Sequence, residues 1–300
     1  MMKTLHRREY LRLLSGWAAG VCSGALLYPS TARKVPVGAH LWVYAAGQPQ
    51  RDPTPVLDQV FQELGAAGLD GIELMQTVLR HDGAVDRVRE LSARHRLPVI
   101  GCSWAAPTWD RGQHKTILGE AQALLGRLRE LKARTLGMTV GYPGRKKTPQ
   151  ELDAQAEVLR QLVRMCSGEG IVLNLHNHTW EVAEQEYDLK ETLARVPEAR
   201  LGPDLEWLMR AKVDPVDFIR RYGARIVFCH LRDEKADGTW PESIGEGVMN
   251  FAAIGRALRG IGFAGDLVIE LAHERGFVPT RSYGESFRLS REYLRKTMRY

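Results

Sequence analysis

Four short segments in the second half of the chain carry side chains that bind cations and move protons. They are His176-Asn177-His178, Asp204, His230-Leu231-Arg232-Asp233 and Glu270. Two imidazoles and two carboxylates suit a divalent transition ion, and Mn, Co, Zn and Fe all accept such a set. Each residue alone is compatible with a structural role. Several carboxylates and imidazoles buried side by side are costly, however, unless they are paired or hold a cation. An ion at such a site would act as a Lewis acid on a bound oxygen, and an adjacent base could take a proton. Glu270, through a free oxygen, and His178 are the candidate bases.

These residues need elements that aim them at one point. Past residue 36, short apolar runs alternate with longer stretches of helical period. The runs cover 38–44, 70–75, 98–104, 135–141, 171–178, 201–207, 226–233 and 266–271. Helices are predicted over 54–67, 84–96, 113–132, 149–168, 187–195, 214–222, 250–261 and 284–298. Thr148-Pro149-Gln150-Glu151 reads as an N-cap, a first-turn proline and an acidic first turn, and Asp214-Pro215 opens another helix. Strands that alternate with helices imply a parallel sheet of the α/β class, closed most economically as a (β/α)8 TIM barrel. A doubly wound open sheet is the alternative, but no GxGxxG follows the first strand.

Barrel enzymes carry their reactive groups at the carboxyl ends of the strands, and His176, Asp204, His230 and Glu270 fall there on strands five to eight. Strand alternation places His176 and His178 on one side and Asn177 on the other. Glu181 is expected to orient one of the imidazoles. Candidate substrate contacts are Arg232, Glu73, Trp104 and His40. Arg232 offers a planar fork to substrate oxygens. Glu73 would bond substrate hydroxyls or support a ligand from behind, Trp104 would form a pocket wall, and His40 lies with Trp42 on strand one. The segment 234–249, with Gly238, Gly245 and Gly247, reads as a mobile loop over one mouth of the barrel.

The N-terminus is a separate matter. Arg7-Arg8-Glu9-Tyr10-Leu11-Arg12 is followed by an apolar stretch to Tyr28 and by small residues at Ser30 and Ala32. These are the parts of a twin-arginine (Tat-type) export signal. The expected organisation is a signal over 1–32 and one barrel domain over 33–300, delivered to the periplasm or the extracellular space. The apolar stretch is shorter than the roughly 20 residues that span a bilayer, so no stable membrane insertion is expected after signal removal. Loss of residues 1–32 removes four basic residues and one acidic one, halving the formal charge of +6. No basic stripe remains, so no nucleic-acid partner is expected. Hydrophobic residues at 44% and charged residues at 26% fit an ordinary globular chain, and four cysteines without a CxxC pair exclude a disulfide scaffold or zinc ribbon.

The motifs HNHTWE (176–181), DLEW followed by DP (204–215), RIVFCHLRDE (225–234), IGEG (244–247) and GFAGDLVIEL (262–271) resemble the xylose isomerase-like superfamily of sugar phosphate isomerases/epimerases, near the inosose dehydratase branch. The resemblance implies a metal-dependent enzyme acting on a keto-sugar, keto-polyol or keto-glycoside through an enediolate. It makes His230, Asp204 and Glu270 ligands of one divalent metal ion, and puts His176 where the keto-sugar epimerases carry a glutamate. Those epimerases use two glutamates as proton-transfer groups on opposite faces of the substrate. A histidine that ligates through one nitrogen cannot take a proton with the same lone pair. One-sided chemistry, as in an isomerase, lyase or dehydratase, therefore fits better than symmetric epimerisation. The substrate would be a small carbohydrate. The alternatives are a carbohydrate-binding barrel without catalysis and a phosphodiesterase of the endonuclease IV type. The latter needs more ligands and a basic groove, and the chain shows neither.

Overall fold

The computed structural model describes residues 35–300. The twin-arginine segment and the expected signal lie outside the described residues. Eight parallel strands run in the order β6-β5-β4-β3-β2-β1-β8-β7. They are β1 (Val37–His40), β2 (Ile72–Met75), β3 (Val99–Ala105), β4 (Thr135–Thr139), β5 (Val172–Leu175), β6 (Arg200–Leu201), β7 (Phe228–Leu231) and β8 (Asp266–Ile269). Single bridges between Leu201 and Ile226 and between Asp204 and His230 join β6 to β7 and close the ring as a (β/α)8 barrel. The outer helices are α1 (Leu57–Ala66), α2 (Ala84–His95), α3 (His114–Glu130), α4 (Pro149–Gly168), α5 (Thr179–Arg195), α6 (Leu205–Arg210), α7 (Pro215–Tyr222), α8 (Phe251–Gly260) and α9 (Tyr283–Met298). Among the described residues, no helix is long and apolar enough to cross a membrane.

Local chemistry explains where these helices start. Thr148 Oγ1 accepts from the Glu151 amide, and the Glu151 carboxylate accepts from the Thr148 amide, so both halves of a capping box open α4. Asp214 caps α7 by accepting from the amides of Val216 and Asp217.

The side chains of the barrel interior form levels. Ile100, Phe228 and Val268 make a small apolar cluster separate from the main core, which lies between sheet and helices. Alternation then carries each strand upward from apolar to ionisable. On β7 the inward series is Phe228, His230, Arg232, while Cys229 and Leu231 are buried in the outer core. On β8, Val268 is followed by Glu270. Register keeps the ionisable groups level, with His40 opposite Glu73 and Asp204 opposite His230. Cys102 and Cys229 are fully buried free thiols that pack as small hydrophobes.

Two sequence expectations shift. Only Leu201 of the run 201–207 lies in a strand, because β6 is confined to Arg200–Leu201 and Asp204 then turns the chain into α6 by accepting from the Glu206 and Trp207 amides. The segment 234–249 is irregular but pinned. Asp233 Oδ1 accepts from the amides of Glu234 (2.9 Å) and Met249 (3.1 Å), and Oδ2 from those of Gly245 (2.8 Å) and Gly247 (3.0 Å). A Cβ at Gly247 would sit 2.3 Å from Asp233 Oδ1, so the close approach of backbone to carboxylate requires glycine.

Candidate active site

The strand ends bring His176, Asp204 and His230 together. One ligating atom from each lies within 4.8 Å of the others. The two imidazoles meet at Nδ1, 2.8 Å apart. Behind them, His230 Nε2 lies 2.5 Å from Glu73 Oε2, in a contact fully shielded from solvent. A carboxylate on the far nitrogen fixes the tautomer and orientation of an imidazole whose near nitrogen faces a metal. Asp204 Oδ1 is spent on capping α6, whereas its Oδ2 is buried without a hydrogen bond. Two Nδ1 atoms and a carboxylate oxygen that accepts no hydrogen bond make a donor set that fits a divalent transition ion.

Glu270 stands beside this cluster. Its Oε1 is 2.6 Å from the Arg232 guanidinium and 3.6 Å from His40 Nδ1, and its Oε2 is 3.7 Å from His230 Nδ1. Arg232 also reaches Asp204 Oδ2 at 3.4 Å and lies against the rings of Trp207 and Trp240. His40 is locked in one tautomer. Its Nδ1 accepts from the Trp42 amide at 3.1 Å, which leaves Nε2–H to donate to Ser103 Oγ at 2.8 Å.

Burial and charge set the protonation states. Burial works against the charged form of Glu270, yet Arg232, His40 and the other imidazoles outweigh it and hold the carboxyl well below its usual range. For Asp204 burial wins, and its pKa is raised despite Arg232. His230 is raised to about 9, because Glu73, Glu270 and Asp204 together overcome the cost of burying its charge. His176 goes the other way, lowered by burial and by the charge of His230. Without an ion, the imidazole pair therefore shares one proton, carried by His230. Burial lowers His178 to about 4, so this ring is neutral at physiological pH, and its Nδ1 is buried without a partner.

A cavity of about 310 Å³ opens above these groups, lined by His40, His176, His178, His230 and Glu270 on one side. Trp42, Arg51, Gln76, Ser103, Trp104 and Thr139 line the rest. A model of the xylose isomerase-like TIM barrel family matches residues 61–296. The chain belongs to that family. Among solved structures, a sugar phosphate isomerase/epimerase from Parabacteroides distasonis ATCC 8503 is similar at TM-score 0.69 and 18% identity, over 88% of this chain and 95% of that one. A D-psicose 3-epimerase from Clostridium cellulolyticum H10 reaches 0.69 at 13% identity, over 88% and 99%. A 3-keto-D-glucoside 4-epimerase from E. coli reaches 0.65 at 15%, over 88% and 100%. At these identities the likeness concerns the fold. Comparison with curated protein sequences gives no significant match.

In this xylose isomerase-like barrel, His40, Trp104, His176, His178, His230 and Glu270 all face the cavity. Glu73 and Arg232 do not line it. Both lie behind the residues that do, Glu73 against His230 and Arg232 against Glu270 and Asp204. Glu181 contacts no imidazole nitrogen. Its Oε2 accepts from the backbone amide of His178 and caps α5, while burial raises its pKa to about 7. Sequence reasoning passed over Ser103, Gln76 and Thr139, which are neutral and form no motif. Alternation from Gly101 along β3 was the available signal for Ser103. It also passed over the shielding of Arg232 by Trp240, 8 residues further along the same loop, which the fold bends back over the guanidinium.

Proposed function

We propose that this protein is a sugar isomerase or lyase that removes a proton next to the carbonyl of a keto-sugar, keto-polyol or keto-glycoside. The observation that carries the reading is the convergence of His176, Asp204 and His230 beneath a cavity that also presents an ionised Glu270. His176, Asp204 and His230 would hold one divalent metal ion, which when bound supplies Lewis-acid polarisation of the carbonyl. The resemblance gave Glu270 as a fourth ligand. Its pairing with Arg232 and the place of Oε2 at the edge of the ligand cluster support reading it here as the proton-transfer group.

The chain's own groups then divide the work. Glu73 holds His230 with Nδ1 toward the cavity. Arg232 keeps Glu270 ionised and aimed, and Glu270 accepts the proton. His178, neutral and partly free of hydrogen bonds, donates to a substrate oxygen. His40 fixes the Ser103 hydroxyl, which offers a lone pair to a sugar hydroxyl. With His176 in the place of a second glutamate, Glu270 is the one carboxylate aligned for proton transfer, and this favours isomerisation or elimination over symmetric epimerisation. The substrate is read as external, because the Arg7-Arg8 segment is proposed as an export signal. Secretion that persists after Arg7→Lys with Arg8→Lys would remove that part of the reading.

The test combines metal analysis of the purified protein with hydrogen exchange in deuterated water. The wild-type protein is expected to hold one transition ion and to exchange the proton next to the carbonyl of a keto-sugar. Glu270→Gln should retain the ion and lose the exchange. Exchange that survives in Glu270→Gln, or a wild-type protein with neither ion nor exchange, would overturn the proposal.

A further inference from the structure

The wall of the cavity continues past its reactive groups. The ring of His178 stacks on Trp180, with centroids 4.5 Å apart and planes at 11°. Trp180 stacks in turn on Tyr142, at 5.5 Å and 19°. Two chain segments build this column, the one that follows β4 and the first turn of α5. It begins inside the cavity, since His178 lines it, and ends in solvent. Tyr142 and Trp180 are 47% and 37% exposed, among the few large apolar side chains that the described chain leaves in water.

The surroundings of the outer rings are polar. Tyr142 and Trp180 line a groove with Arg145, Lys146, Glu184 and Tyr187. Lys146 Nζ lies 2.9 Å from Glu184 and 3.8 Å from the centre of the Tyr187 ring. Beside the groove, α5 breaks after Val182, where Ala183 is extended and Glu184, Gln185 and Glu186 take φ values of 50, 61 and 65°, a left-handed run that L-residues adopt at a cost. The exposed ring of Tyr142 and the exposed edge of Trp180, rimmed by charged hydrogen-bonding groups, match a sugar ring, which presents C–H bonds on its faces and hydroxyls around its edge. Two rings are too small a patch for a stable protein interface.

We propose that Trp180 and Tyr142 form an outer subsite for a second sugar ring, so that the substrate is a glycoside larger than a monosaccharide. The reacting keto-sugar occupies the cavity, and its glycosidic partner lies along the His178–Trp180–Tyr142 column. This rests on the proton-transfer reading of the inner site and adds the substrate class.

The test compares keto-cellobiose with keto-glucose, oxidised at the same carbon, in wild-type protein and in Tyr142→Ala and Trp180→Ala. Tyr142 touches Trp180 and no reactive group, so its variant leaves the inner site intact. Tyr142→Ala is expected to lower kcat/KM for the disaccharide by about three- to tenfold and to leave the monosaccharide within about twofold. Calorimetric binding of unoxidised cellobiose and glucose repeats the comparison without turnover. Equal losses for both sugars, unchanged disaccharide binding in both variants, or a preference for a phenyl glucoside over the disaccharide would overturn the subsite. Failure of the inner-site reading shows differently, as absence of turnover on every keto-sugar while cellobiose binding still responds to Tyr142→Ala.

Discussion

The guanidinium of Arg232 lies 2.6 Å from Glu270 and 3.4 Å from Asp204, so one buried cation sits between the proposed base and a proposed metal ligand. Removing it strips both buried carboxylates of their guanidinium partner. Arg232→Ala is expected to destabilise the metal-free protein by ~3–5 kcal/mol, read by urea unfolding. Added Mn²⁺ should recover more stability in the variant than in the wild type, because an ion then meets two carboxylates without a competing guanidinium. Equal recovery would mean that Arg232 and the ion do not share these oxygens.

Glu73 and His230 are 157 residues apart in the chain and form a fully buried contact. Glu73→Gln keeps every ligating atom and replaces only the acceptor behind His230. Metal affinity should fall by about 10- to 100-fold, measured by competition with a chromogenic chelator. An unchanged affinity would reduce Glu73 to a packing residue.

The raised pKa of His230 makes metal binding pH-dependent. Its value of about 9 means that Nδ1 carries a proton at pH 7 in the metal-free protein. An ion bound there must displace that proton, so affinity should strengthen as pH rises from 7 to 9, with about one proton released per ion near pH 7. Calorimetry in buffers of different ionisation enthalpy counts the proton. The sign for folding is opposite. The folded pKa lies above the ordinary 6.5, so the stabilisation from His230 in the metal-free protein is full below pH 6.5 and is lost as pH rises through about 9.

Asp233 organises the loop beyond β7 through four backbone amides, two on each carboxylate oxygen. Asn supplies one acceptor oxygen and turns an N–H group toward two of the donors. Asp233→Asn should therefore cost about 2–3 kcal/mol in chemical denaturation and should expose 243–249 to limited proteolysis. A stable, protease-resistant variant would show that the loop is held by other contacts.

The sequence by itself determined the alternation of strands and helices and the caps at Thr148 and Asp214. It also put His176, Asp204, His230 and Glu270 at the ends of consecutive strands. Those features are local, because side-chain periodicity and capping chemistry act over a few neighbouring residues. The short β6 marks the limit. Asp204 was legible as an acidic residue at a strand end, but whether its amide-capping oxygen would end the strand there depended on how the following turn packs. Tertiary structure alone decided the partners. Barrel closure set Glu73 behind His230, turned the fork of Arg232 onto Glu270 and away from the cavity, and spent Glu181 on a backbone amide. Alternation says which face of the sheet a side chain occupies, whereas the register of a closed ring says which residue it meets there.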